Sequence, residues 1–255
     1  MSKLRDRIRD ISRRRPVPFG FAAMRETEAN TSRQILIAAE ADSVATAGQA
    51  ATAGADVIIY TGDVTGLDDA VKAAPNAVVG WRVDGATAED TTAIRESGAH
   101  FLVCVDDQTD AAALTDTRIG YVLVAPAVSV TPVISDTDRD AHLRSFRALD
   151  LDGVLFNSLP ETMTVRQQLQ SRRLGELVRK PLFVHVANAV SAKTLELWRD
   201  TGVAIVLGAA SLTAELAKAA DAVPEPRKRE QDRDRGDAIV PAPPAGSDLD
   251  DDDDE

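Results

Sequence analysis

Eight short apolar runs recur along residues 35–207, and they constrain the fold more than any other feature of the chain. Each run has four to six residues and is rich in Val, Ile and Leu; they are Ile35–Glu40, Asp56–Thr61, Ala77–Arg82, His100–Val105, Gly120–Ala125, Gly153–Asn157, Leu182–Ala187 and Ala204–Leu207. Continuous apolar runs of this length predict parallel strands that are covered by other structure on both faces.

Stretches with a helical pattern separate the runs. Several lead into the next run through a glycine, as at Gly54, Gly98 and Gly202, and glycine readily takes the left-handed conformation that ends a helix. Eight repeats of strand, helix and turn predict βαβ units that close into a single (β/α)8 barrel. No Gly-x-Gly-x-x-Gly follows the first run, which disfavours an open dinucleotide-binding sheet.

The two ends of the chain differ in composition from the barrel. Residues 1–15 are interpreted as an amphipathic helix, with Leu4, Ile8 and Ile11 on one face, that covers the bottom of the barrel or docks on a partner. The barrel is predicted over residues 16–223, with Phe19–Met24 as an extended piece ahead of the first strand. Residues 224–255 are charged and end almost entirely in acid, so a disordered acidic tail is predicted, either a solubilising tail or a tether for a basic partner.

The charge balance argues against two classes of partner. The chain has 29 Lys and Arg against 41 Asp and Glu, a net charge of −12, whereas nucleic acids and anionic membranes require clustered basic residues. No apolar run is long enough to span a membrane, and no apolar segment follows the basic N-terminus as in a secretory signal. With a single cysteine, Cys104, the sequence predicts a cytoplasmic protein without an internal disulfide.

Polar side chains follow the carboxyl ends of the predicted strands, where barrel enzymes hold their active sites. Four successive strands deliver carboxylates there, including Glu40, Asp63, Asp84 and Asp106. Several carboxylates at one mouth can bind Mg²⁺, for which Asp84 and Asp106 are candidates. Alternatively Glu40, Asp63 or Asp84 serves as a general base, with its pKa raised by its neighbours. Asp63 and Asp84 also have a structural interpretation, because Asp caps helices at such turns.

Other residue types at the same ends suggest binding and proton transfer. His185 lies near the end of the seventh run and is interpreted either as a catalytic acid or base or as a packed core histidine. Arg82 is a candidate anion clamp, and further substrate-binding candidates are Asn157, Asn188, Gly208 and Ser211. No lysine stands at the carboxyl end of a predicted strand, which disfavours Schiff-base aldolase chemistry.

The last two units, Val184–Asn188 and Asp200–Ser211, resemble the phosphate-binding barrels, such as the tryptophan-biosynthesis and thiamine-phosphate-synthase groups. Those groups carry a Gly-Gly turn after the seventh strand and Gly-Ser after the eighth, where backbone N–H groups hold phosphate. Here Gly208 and Ser211 keep part of the second turn. Ala187 and Asn188 replace the glycines of the first turn, so the resemblance implies only half of the phosphate site.

A second resemblance covers most of residues 16–210. Met163–Val184, Leu195–Val203 and Pro18–Phe21 resemble segments of a group of uncharacterised bacterial (β/α)8 barrel proteins, which supports the fold. Two functional hypotheses follow. One is a lyase, isomerase or synthase that acts on a small anionic metabolite at the carboxyl rim, with a phosphorylated metabolite as a narrower alternative. The alternative is a non-catalytic barrel that serves as a binding or scaffold protein.

Overall fold

The computed structural model describes residues 2–12, 33–125, 137–157 and 159–226. The predicted extended piece Phe19–Met24 and nearly all of the predicted acidic tail lie outside these residues. The described barrel belongs to one compact unit that ends at Pro224.

Eight parallel strands form a closed barrel in sequence order, which confirms the predicted (β/α)8 architecture. Each strand agrees with its predicted run to within two residues at either end; they are β1 (Leu36–Ala41), β2 (Val57–Tyr60), β3 (Val78–Arg82), β4 (Phe101–Val105), β5 (Gly120–Val124), β6 (Gly153–Phe156), β7 (Leu182–His185) and β8 (Val203–Ala209). The barrel closes where β1 pairs with β8.

Helices cover the outside of the barrel and one of its ends. They are α1 (Lys3–Ser12), α2 (Val44–Thr52), α3 (Leu67–Ala73), α4 (Ala88–Ser97), α5 (Thr137–Ser145), α6 (Val165–Val178), α7 (Ala192–Asp200) and α8 (Thr213–Asp221). The segment Ala111–Thr115 after β4 forms a 3₁₀ helix, because five residues are too few for a stable α-helix. The glycines expected to end helices, Gly54, Gly98 and Gly202, have φ values of 97°, 76° and 101°.

The strand registers arrange the inward-facing side chains of the barrel in layers. Because the strands are tilted, a layer continues on the next strand at the residue that follows the Cα partner. Starting at Glu40 and repeating this step through all eight strands leads back to Glu40. In such a barrel, alternate strands supply each layer. The uppermost odd-strand layer is Glu40, Arg82, Val124 and His185. The layer directly below it comes from the even strands and is Ile59, Val103, Leu155 and Leu207.

The lower interior is filled by two phenylalanine rings that lie against glycines. A Cβ built on Gly80 would lie 2.4 Å from the ring of Phe101, and one built on Gly153 would lie 2.1 Å from the ring of Phe183. The glycines are therefore needed because the rings occupy the space in which a side chain would stand.

The amino-terminal end of the barrel is closed by α1. Leu4 is fully buried and Ile8 nearly so, and both belong to the apolar cluster of the barrel interior. On its polar side, Arg5 pairs with the buried Asp152 at 2.7 Å, and Arg7 pairs with Asp56 at 2.7 Å. The helix therefore combines apolar insertion with ion pairs to strand starts.

Candidate functional site

The three charged or titratable residues of the uppermost layer meet across the mouth of the barrel. Glu40 Oε1 accepts a hydrogen bond from Arg82 Nη1 at 3.2 Å, and Glu40 Oε2 lies 3.6 Å from His185 Nε2. The second distance is within ion-pair range but longer than a regular hydrogen bond. Since Glu40 is on β1, Arg82 on β3 and His185 on β7, one carboxylate links opposite sides of the mouth.

The layer is half-open to solvent above and apolar below. The side chains of Glu40, Arg82 and His185 are 27%, 33% and 35% exposed. The layer beneath them, Ile59, Val103, Leu155 and Leu207, is buried. The mouth is therefore a polar layer on an apolar floor, an arrangement typical of small-molecule sites.

Glu40 is held in its ionised form. Its pKa is lowered from the ordinary value, first by the contact with His185 and further by Arg82, while partial burial acts in the opposite direction. The expectation of a general base with a raised pKa does not fit Glu40, because a guanidinium and an imidazole contact it where the sequence led us to expect other carboxylates. A carboxylate in this setting orients the neighbouring side chains and stabilises positive charge on them, and it does not readily take up a proton.

The four predicted carboxylates do not converge on one point. Asp84 lies beside the mouth, with Oδ1 3.4 Å from Arg82 Nε. Asp63 is exposed in the turn that follows β2, and Asp106 pairs with His142, with Nε2 and Oδ2 2.7 Å apart. Within the described ranges, no three His, Cys, Asp or Glu side chains come together to hold a metal. Mg²⁺ binding by Asp84 and Asp106 stays a prediction from the sequence.

The remaining predicted binding residues lie around the same end of the barrel, but they do not all face the mouth. Asn157, one residue beyond β6, and Asn188, in the turn after β7, are exposed. Gly208 lies within β8, and a Cβ on it would point outward, 2.9 Å from Leu216 of α8. Its small size therefore serves the packing of α8 on the barrel. Ser211 is exposed in the 3₁₀ turn Ala210–Leu212.

Sequence reasoning missed a polar groove beside the mouth. A cavity of about 420 Å³ lies between the turns that follow β1 and β2, with Asp42, Tyr60, Thr61 and Asp63 among its lining residues. Its wall is fixed from behind by Trp81, which is buried and whose Nε1 donates to the Gly62 carbonyl at 3.0 Å. The signals in the sequence are Asp63, which was predicted at the end of a strand, and the glycines on either side of it, and they do not indicate a groove.

The pairing of Asp106 with His142 was also missed. The imidazole of His142, on α5, lies edge-on to Phe146, with ring centroids 5.0 Å apart. The two partners are 36 residues apart in the chain, and His142 alone on a helix carried no sequence signal for a site.

No model of a known protein family matches this chain, and no curated protein matches it at a significant level. Solved structures similar in fold include Yersinia pestis dihydropteroate synthase, with a TM-score of 0.54, 14% identity and coverage of 80% of this chain and 94% of that one. A protein of Burkholderia cenocepacia described as a lyase/mutase has a TM-score of 0.53 and 16% identity, with coverage of 72% and 79%.

N-(5'-phosphoribosyl)anthranilate isomerase of Pyrococcus furiosus has a TM-score of 0.51 and 13% identity, with coverage of 73% of this chain and 98% of that one. At these identities the likeness shows the fold alone. No helix among the described residues is long and apolar enough to cross a membrane. The chain is thus a (β/α)8 barrel whose neighbours in fold include lyase/mutase, synthase and isomerase enzymes.

Proposed function

We propose that the mouth of the barrel binds a small metabolite through an anionic group and moves a proton on it, as a lyase or isomerase does. The observation that carries this proposal is the single inward-facing layer in which Glu40 contacts both Arg82 and His185. Barrel enzymes act at this end of the strands, and the neighbours in fold are enzymes of these classes.

Arg82 is the proposed anion clamp. Its Nη1 contacts Glu40 and its Nε lies near Asp84, so two carboxylates fix the plane of the guanidinium. Among the described residues, Nη2 enters no ion pair or hydrogen bond. A carboxylate or phosphate oxygen of a ligand supplies the acceptor that this nitrogen lacks.

His185 is the proposed acid or base. An imidazole exchanges protons more readily near neutral pH than other side chains do, and His185 shares the layer with the proposed clamp. When His185 takes up a proton from substrate, the ionised Glu40 beside Nε2 stabilises the imidazolium that forms. The apolar floor below the layer keeps water from one side of the reacting group.

Binding is tested by thermal unfolding of the full chain with small carboxylates and phosphate monoesters, each with and without Mg²⁺. A ligand of the native state raises the melting temperature by mass action. We expect the shift to disappear in Arg82→Gln and to persist in Arg166→Gln, which removes the same charge from an exposed position on α6. If no anion shifts the transition, or if Arg82→Gln shifts as the wild type does, the anion clamp is wrong and the non-catalytic scaffold alternative gains support.

Proton transfer is tested separately with the anions that bind. In ²H₂O, NMR follows deuterium incorporation at carbon atoms next to a carbonyl group. We expect His185→Gln to slow incorporation by about 100-fold or more, the usual range for loss of a general acid or base. His100→Gln is the matched control, because His100 contacts Lys3 of α1 at the opposite end of the barrel. Equal rates in wild type and His185→Gln would remove His185 from the chemistry.

A further inference from the structure

The groove beside the mouth has on its floor the hydroxyl group of a tyrosine whose ring is buried. Tyr60 is 4% exposed, and its hydroxyl lies so close to the backbone that a Cβ on Gly62 or Gly66 would stand 2.4 Å from it. Tyr60 lines the groove, yet its hydroxyl forms no hydrogen bond to any described residue. The ring is buried but the oxygen itself is accessible from the groove, so a ligand or water there can supply its hydrogen-bond partner.

Two carboxylates flank this hydroxyl without a cation beside them. Asp42 accepts a hydrogen bond from the Thr46 hydroxyl at 3.0 Å, and Asp63 caps no backbone N–H at the start of the following turn. Neither forms an ion pair with another described residue. Burial, and then the charges of Asp63 and Asp42, raise the pKa of Tyr60, so the phenol keeps its proton and its oxygen can accept a hydrogen bond.

The groove lies next to the mouth. Thr61 lines the groove and directly follows β2, and its backbone N–H donates to the Ala41 carbonyl at the end of β1 at 2.8 Å. Asp42 is two residues beyond Glu40 on the same chain segment. Because β1 and β2 lie beside β3, which carries Arg82, one extended ligand can contact both Arg82 and the groove.

The charges at this end favour a ligand that also carries a positive group. In the mouth Glu40 contacts Arg82 and His185, and Asp84 lies beside the mouth, next to Arg82. Asp42 and Asp63 add two more carboxylates in the groove. The excess of carboxylates repels a purely anionic ligand, whereas it attracts an ammonium group on the ligand.

We propose that the groove formed by Asp42, Tyr60 and Asp63 binds a primary ammonium group, so that the substrate of the mouth carries an amine as well as an anionic group. A primary ammonium has three N–H donors and no acceptor, which matches two carboxylates and one phenol oxygen. The volume of about 420 Å³ lies in the range of small-molecule pockets and leaves room for the ammonium group together with the chain that carries it. The substrate assignment rests on the proposed anion site at Arg82, while the ammonium site itself does not.

The test compares matched ligands by isothermal titration calorimetry on the full chain. One set has ω-amino carboxylates and ω-aminoalkyl phosphates with about two to six methylenes, and the second set has the same anions without the amino group. Alkylamines without an anion form a third set. We expect the amino group to tighten binding by about fivefold at the best chain length, the upper end of the range for an exposed charge pair.

Variants separate the two sites. We expect Asp63→Asn to abolish the gain from the amino group and Tyr60→Phe, which keeps the ring, to reduce it. Asp107→Asn, which removes one charge from an exposed position after β4, should leave the gain intact. An amino group that gives no gain in wild type, or a gain that survives in Asp63→Asn, overturns the ammonium site. Plain anions that bind equally to wild type and Arg82→Gln overturn the anion clamp instead, and alkylamine binding that depends on Asp63 still supports the groove.

Discussion

Replacing Leu4 by Ala tests whether α1 closes the barrel as the contacts indicate. Leu4 is fully buried in the cluster that fills the barrel interior. Leu→Ala changes at such sites cost about 2–5 kcal/mol, depending on how far the surroundings collapse. A terminal helix can settle into the space left, so we expect a loss of about 3 kcal/mol in the free energy of unfolding, near the lower part of that range. In a chain of this size that corresponds to a melting temperature lower by about 6–12 °C.

Urea unfolding followed by circular dichroism measures the change, with Asp10→Ala as the control on the same helix. Asp10 is exposed, and Ala favours helix more than Asp does, so the control should be neutral or slightly stabilising. If Leu4→Ala unfolds within about 0.5 kcal/mol of the wild type, the size typical of surface substitutions, then the insertion of α1 into the barrel floor is wrong.

Four further outcomes follow from the described contacts and pKa shifts. Gly153→Ala should destabilise by about 1–3 kcal/mol or more, because the new Cβ would stand 2.1 Å from Phe183. Gly175→Ala, whose Cβ would meet nothing closer than 3.5 Å, should stabilise α6 by about 0.5–1 kcal/mol; urea midpoints in the reverse order would refute both. Burial raises the pKa of Cys104 to about 11, so iodoacetamide at pH 8 should label it only on unfolding, and rapid labelling of native protein would contradict this. The pKa of Glu40 is lowered from its ordinary 4.5, so its carboxylate stabilises the fold above that value and the benefit is lost as the pH falls through the lower folded value. Unfolding free energies of wild type and Glu40→Gln should therefore converge as the pH is lowered from 4.5, and a difference that does not shrink with falling pH would refute the pairing.

Much of the fold could be predicted from the sequence because its signals are local. Apolar runs of four to six residues mark parallel strands that are covered on both sides, and Gly54, Gly98 and Gly202 mark helix ends where φ is positive. These features depend on neighbours in the chain, so each strand was located to within two residues of its observed bounds.

The direction of each side chain could not be predicted in the same way. A strand that is buried on both faces has no alternation of apolar and polar residues. The local sequence therefore does not show which side chains point into the barrel and which point to the helices. Gly208 was assigned to a phosphate turn, but its Cα faces Leu216 of α8. Tyr60 was passed over inside an apolar run, although its hydroxyl lies on the floor of a groove.

By itself, the sequence determined that eight βαβ units would close and that polar residues would lie at the carboxyl ends of the strands. Only the tertiary structure decided which of them meet, because the layers depend on the registers of all eight strands together. Glu40, Arg82 and His185 share one layer, while Asp63 and Asp106 face other neighbours. Their separations in the chain carry no information on this, since one residue of register shift would turn a side chain from the mouth to the helices.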